Sequence, residues 1–269
     1  MFDLELLRRI DHYLDAVPRA VVRTEGIGPF TLFVNEGHGW RYYARPTPGA
    51  TDFTSGDVQV VRDRQRALAQ PEEFEWVTEL SPGVGPAVED AGMRSLKHPL
   101  MHLPAHGLPM EPPNGVEITL VAPRGDLAVM NAVANLAFAA PGNAVGETDA
   151  TAFDAAVAAA DPDTIAFTRE RLADGFTVMA MARVDGEPVA VGSYQPSDGM
   201  AEITGIATLP AFRRQGIGAA ITSFLARDAA ARGIGDVFLS ADSDEVARVY
   251  GRLGFVTIGS VGAAVVAET

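Results

Sequence analysis

The chain has 269 residues, 47% of them hydrophobic, with a formal net charge of -14 and no cysteine. That length and apolar content suffice for one large or two modest domains, each with a buried core. The acidity disfavours a nucleic-acid partner, whose phosphates attract basic faces, and the missing cysteines exclude disulfides, thiolate catalysis and cysteine-ligated zinc or iron–sulfur sites.

The N-terminal stretch MFDLELLRRIDHYLDAV carries acids where a signal peptide would be basic, and its apolar residues recur at helical spacing. It reads as a helix. No apolar run reaches about 18 residues, so no membrane span is expected and a cytoplasmic location is the default. FTLFVN and WRYYARP then read as strands, SGDVQVVRDRQRALA as a helix, and FEWVTEL, PGVGPAVEDAG and MRSLKHPLMHL as strand, helix and strand. His98, His102 and His106 repeat every four residues, which on a helix would suggest metal ligands. Pro99 and Pro104 break any such helix, so no metal is expected there.

PAHGLPMEPPNG, residues 104–115, packs four prolines and two glycines into twelve positions. Neither helix nor central strand can cross it. The expected division is a first domain at 1–108, a linker at 109–115 and a second domain at 116–269.

In the second domain VEITLVA reads as a strand and DLAVMNAVANLAFAA as a helix with Leu127, Met130, Val133 and Ala134 on one face. TDATAFDAAVAAADPD is a second helix, stopped by Asp161-Pro162. FTVMAMARVDGEPVAVGSYQ is a hairpin turning at Asp185-Gly186, and SDG turns the chain again into the strand MAEITGIAT. The helix GAAITSFLARDAAAR follows, ending at Gly233, a usual C-terminal cap residue. DVFLSAD is a strand, DEVARVYGRL a helix capped by Gly254, and FVTIGS and AAVVAE are two closing strands. With Gly92 aligned on Gly254, the last strand–helix–strand trio of the first half has the rhythm of this final one, an internal duplication in which Val88 matches Tyr250.

Between strand and helix lies TLPAFRRQGIGAA, residues 208–220. Glycines at the start of a helix leave its first amides open, at the positive end of the dipole, and Arg213 and Arg214 add charge. Such a turn can cradle a diphosphate. A nucleotide-triphosphate loop would need a lysine after the glycines, and none follows. A dinucleotide fingerprint would need a small third residue where Ile221 stands, inside a βαβ unit that the preceding hairpins do not resemble. A coenzyme A cradle is the third reading.

Here the sequence resembles the GNAT superfamily of N-acetyltransferases. The carriers are TLPAFRRQGIGA, with Thr208 in a valine's place, Pro210, Arg213, Gly216 and Gly218, and VYGRLGF, with Tyr250, Gly254 and Phe255. The asparagine common seven residues before that tyrosine is Ser243 here. The resemblance covers about residues 116–269. It implies an α/β (α+β) fold with a mixed, mostly antiparallel sheet flanked by helices, whose fourth and fifth strands splay to admit acetyl-CoA. It also implies that Arg213, Arg214, Gln215, Gly216, Ile217, Gly218 and Ala219 hold the coenzyme, with Ser243 at its pantetheine. The first half would be a smaller, degenerate GNAT-like domain without a coenzyme site, as in two-domain proteins resembling mycothiol synthase, because VRDRQRALA has no glycine pair.

The implied reaction is direct attack of a primary amine on the acetyl-CoA thioester. An amine near its reference pKa of about 10.4 must first lose a proton. Glu202, eleven residues before Arg213, matches the general base of the histone-acetylating branch; the alternative is an ordinary strand carboxylate. Amides of Ile206, Ala207 and Thr208 would meet the thioester oxygen if the strand bulges near Gly205. Tyr250 would protonate the departing thiolate, although its helical spacing with Val246, Val249 and Leu253 also suits a core residue. The acidic balance points to a cationic acceptor such as an amino sugar, a polyamine or a lysine side chain. A monomer or a homodimer is compatible with the sequence. A non-catalytic acyl-CoA-binding regulatory module is the alternative, and the pairing of Glu202 with Tyr250 speaks against it.

Overall fold

The computed structural model describes residues 2–35, 37, 39, 41–104, 110–140 and 142–266. Helix α1 (Leu4–Arg19) opens at Asp3, whose carboxylate accepts from the amides of Glu5 and Leu6. Strands β1 (Arg23–Ile27), β2 (Phe30–Val34) and β3 (Arg45–Pro46) follow, so only the end of WRYYARP is strand. Helix α2 (Ser55–Ala67) begins with a capping box in which Thr54 and Asp57 satisfy each other's amides. Then come β4 (Phe74–Val77), α3 (Val84–Asp90) and β5 (Met93–Leu103). His98 and His102 therefore stand on a strand, and His106 lies outside the described residues, as does the linker's first residue, 109.

Past the linker are β6 (Val116–Leu120), α4 (Leu127–Ala139) and α5 (Ala150–Ala158). Asp161-Pro162 does stop the alanine-rich run, but it also starts α6 (Pro162–Ala173), a helix not anticipated from the sequence. Asp161 caps it by accepting from the Asp163 and Thr164 amides, and Pro162 sits in the first turn, where its missing N–H is no loss. Strands β7 (Val178–Val184) and β8 (Glu187–Ser197) turn at Asp185-Gly186, and β9 (Met200–Thr208) follows a second two-residue turn at Asp198-Gly199. All four turn residues have positive φ, as this hairpin type requires. The chain ends with α7 (Ile217–Ala231), β10 (Asp236–Ser240), α8 (Asp244–Gly251) and β11 (Val256–Val266). FVTIGS and AAVVAE are thus one strand, kept continuous through an irregularity between Thr257 and Gly259.

Two compact units result: Met1–His102 with Ser240–Arg248 and Val256–Thr269, and Leu103–Leu239 with Val249–Phe255. A single linker at 109–115 does not describe this division, because two C-terminal stretches return to the first unit. The reason is β11, which pairs antiparallel with both β4 and β5. It fits there because Gly262 has no side chain: a Cβ would lie 2.2 Å from the Trp76 ring. Phe30, Phe74, Trp76 and Val88 lie in the core of this unit.

In the second unit the strands run β10-β9-β8-β7-β6, antiparallel except for β9 and β10. This is the mixed, mostly antiparallel sheet flanked by helices that the sequence implied. Val191 and Ala207 pair on the face that packs Met130 and Val133 of α4. Gly192 points the other way, where a Cβ would lie 2.7 Å from Ile221 of α7. Helices α4 and α7 therefore cover opposite faces. No helix among the described residues is long and apolar enough to cross a membrane.

Candidate active site in the second unit

The parallel register of β9 and β10 spans only Met200–Glu202 against Asp236–Phe238. Glu202, half-buried, occupies the last paired position, so it stands at the apex where the two strands part. On the other side of β9 the ladder with β8 slips: Ser193 faces Thr204 and Val191 faces Ala207, leaving Gly205 and Ile206 without register partners. Gly205 takes φ +63, a conformation glycine adopts freely. The bulge anticipated near Gly205 is therefore present, and it stands just before Ala207 and Thr208.

After Thr208 the chain makes a short 3-10 turn at Pro210–Phe212 and enters α7 through Gly216, at φ +82. The N-terminus of α7 has no side-chain cap and no acid in its first turn. The amide of Ala220 is the first to bond back into the helix, to the Gly216 carbonyl at 3.0 Å, so those of Ile217, Gly218 and Ala219 precede the ladder. A Cβ on Gly218 would lie 3.5 Å from Thr208 Oγ1 and 3.7 Å from Ile206 Cγ2, so the start of α7 packs beside the end of β9. By contrast, α2 in the first unit closes its own N-terminus with the Thr54–Asp57 box. One helix end is capped by a side chain; the other has no side-chain cap, and its first amides lie at the positive end of the helix dipole.

Two residues expected at the coenzyme make contacts within the protein. Arg213 donates from Nε to the Thr208 carbonyl, from Nη1 to Ala144 and from Nη2 to Ala137 and Ala140, at 2.7–3.2 Å. Its guanidinium is committed to main-chain carbonyls and fastens the 137–144 segment to the glycine-rich turn. Ser243 falls in the other unit, where its hydroxyl accepts from the Val246 amide and caps α8. Arg214 and Gln215 are exposed on the turn, Arg214 with a positive φ of 63.

Tyr250, near the end of α8, belongs to the second unit, and its ring lies 6.0 Å from that of Phe255. Burial pushes its phenol up to about 12, so the hydroxyl keeps its proton at neutral pH and can donate it. Sequence reasoning passed over a polar group on the α4 face. Ser193 Oγ lies 3.2 Å from the Thr204 carbonyl, Gln195 pairs with Glu202, and Arg171 of α6 donates to Gln195 Oε1 at 3.0 Å. The signal was available in the strand alternation, which sets Ser193, Gln195, Glu202 and Thr204 on one face once the bulge is counted. Among the described residues no group of three or more histidines, aspartates or glutamates could hold a metal ion.

Residues 144–255 match the model of the acetyltransferase (GNAT) family. They form a GNAT-family domain. A GCN5-related N-acetyltransferase from Kribbella flavida is similar over 98% of this chain and 96% of its own, at 25% identity and a TM-score of 0.72. A putative acetyltransferase of the GNAT family from Novosphingobium aromaticivorans shares the fold at 19% identity and TM-score 0.52, over 94% and 93% of the two chains. A tandem GNAT protein from the clavulanic acid biosynthesis pathway does so at 15% identity and TM-score 0.55, over 89% and 79%. No curated protein matches in sequence. The GNAT fold supports an acyltransferase function, and the family's co-substrate is acetyl-CoA.

Proposed function

We propose that the GNAT domain transfers the acetyl group of acetyl-CoA to a primary amine in a ternary complex. The observation that carries this reading is the parting of β9 and β10 beyond Glu202, together with an α7 N-terminus that has no side-chain cap. The open amides at Ile217, Gly218 and Ala219 receive the diphosphate at the positive end of the helix dipole. Arg214 and Gln215 line the same turn. The bulge presents main-chain donors from Ile206, Ala207 and Thr208 to the thioester oxygen.

Glu202 removes a proton from the acceptor ammonium, directly or through water. The freed amine attacks the thioester carbon, the C–S bond breaks, and Tyr250 gives its proton to the departing thiolate. The nitrogen, positively charged after attack, gives up its second proton, which restores the Tyr250 phenol through water, and Glu202 releases the first proton to solvent. The acceptor is a cationic amine, consistent with the net charge of -14.

The first unit takes no coenzyme on this reading. Val88, the match of Tyr250, is fully buried core, and α2 is capped by its own residues. Gly92 and Gly254 both have positive φ and both donate to the carbonyl three residues earlier, which supports the duplication. The test is thiol release from acetyl-CoA against a panel of amino sugars, polyamines and lysine peptides. Release that depends on one amine class supports the proposal; tight coenzyme binding without release for any of them favours a non-catalytic module.

A further inference from the structure

The geometry points to Arg171 and Gln195 as positioning residues that hold Glu202 ionised and aimed into the parting of β9 and β10. This rests on the reading of Glu202 as the base. Arg171 is fixed from three sides: Nε donates to Thr177 Oγ1 at 3.0 Å, Nη2 to Gln195 Oε1 at 3.0 Å and to the Phe176 carbonyl at 3.4 Å. The Phe167 ring lies 5.7 Å from the guanidinium carbon. Its remaining nitrogen, Nη1, is buried without a hydrogen-bond partner. A guanidinium cannot give up its charge, so a permanent, half-buried cation is held beside Gln195.

Gln195 supplies the connection. Arginine only donates, so the atom it meets must be the amide oxygen, which fixes which way the amide lies. The NH2 end is then turned from Arg171 toward the strip it shares with Glu202. Gln195 and Glu202 are direct partners in the antiparallel ladder, where paired Cβ atoms lie about 4.5–5.5 Å apart on one face. A carboxylate that faces amide donors backed by a fixed cation is stabilised in its charged form, the form a base must have.

The other groups facing Glu202 leave this effect visible. Phe238 pairs with it from β10, Asp236 stands two places earlier on the same face, and Thr204 follows on β9. Helix α4 carries no ionisable side chain; on α7 Arg227 pairs with Glu111, and Asp228 lies across the sheet with Tyr194 and with Arg232, which follows the helix. Asp236 opposes the ionised form of Glu202, and Arg171 acts against that through Gln195.

The experiment follows the Glu202 carboxylate by 13C NMR titration, its resonance assigned with Glu202→Gln, alongside the pH profile of kcat/KM. Arg171→Met should move the Glu202 midpoint up by about one pH unit, Gln195→Leu should move it in the same direction, and Arg171→Lys should restore part of the shift. The acidic limb of the kinetic profile should move equally, with coenzyme affinity unchanged as evidence of intact folding. An unmoved Glu202 midpoint in both Arg171→Met and Gln195→Leu overturns the proposal. A moved midpoint with an acidic limb that survives Glu202→Gln supports the electrostatic link and refutes the base, so the two failures are separable.

Discussion

Replacing Arg213 by alanine separates two roles for the same residue. A phosphate ligand would leave stability intact and cost coenzyme affinity; a clamp on carbonyls does the reverse. Three of its four hydrogen bonds are partly buried, to Thr208, Ala137 and Ala140, and the fourth, to Ala144, is exposed. At about 1 kcal/mol for each partly buried bond, and little for the exposed one, Arg213→Ala should lose about 3 kcal/mol. At roughly 2–4 °C per kcal/mol for a chain this long, Tm should fall by about 6–12 °C. Arg213→Lys should recover only part, because one ammonium cannot span carbonyls from two segments. Thermal melting and calorimetric titration with acetyl-CoA measure both quantities on the same preparations. An unchanged Tm together with a hundred-fold weaker coenzyme would refute the clamp and return Arg213 to the phosphate.

Gly192→Ala should destabilise the protein by about 1–3 kcal/mol in urea denaturation, since its Cβ would meet Ile206 Cδ1 at 2.5 Å and Ile221 at 2.7 Å. Tyr250→Phe should lower kcat on the order of a hundred-fold while coenzyme affinity stays, read by thiol release and calorimetry. Because burial raises the phenol to about 12, it stays protonated at neutral and mildly alkaline pH. Any alkaline limb below about pH 10 should therefore survive Tyr250→Phe, and its loss would contradict the assignment. Gly216→Val forces a β-branched residue to φ +82 at the mouth of the cradle and should weaken coenzyme binding at least ten-fold by calorimetry.

Much of the second unit was legible because its signals are local. Asp185-Gly186 and Asp198-Gly199 announce hairpins through residues that tolerate positive φ, and Gly205 and Gly216 mark the bulge and the helix entry. What stayed hidden depends on distant partners. Pro162 reads as a breaker, yet a proline preceded by Asp161 is also a helix start, and α6 with Arg171 was missed for that reason. Strand β1, RTEGI, has a glycine and two charges in five residues and is a strand only because β2 pairs with it. Nor could local pattern reveal that β11 joins β4 and β5, or that Arg213, an exposed cation by pattern, would turn toward the carbonyls of 137–144. Ser243 kept a role that sequence does suggest for serine, the cap of a helix.

The most direct test of the account removes the diphosphate from the ligand rather than the cradle from the protein. Calorimetric titration of the intact chain should show coenzyme A bound at least a hundred-fold more tightly than pantetheine, which shares the thiol arm but lacks the diphosphate that the proposal assigns to the Gly216–Ala219 turn. Equal affinity for the two, or no binding of coenzyme A at all, would contradict it.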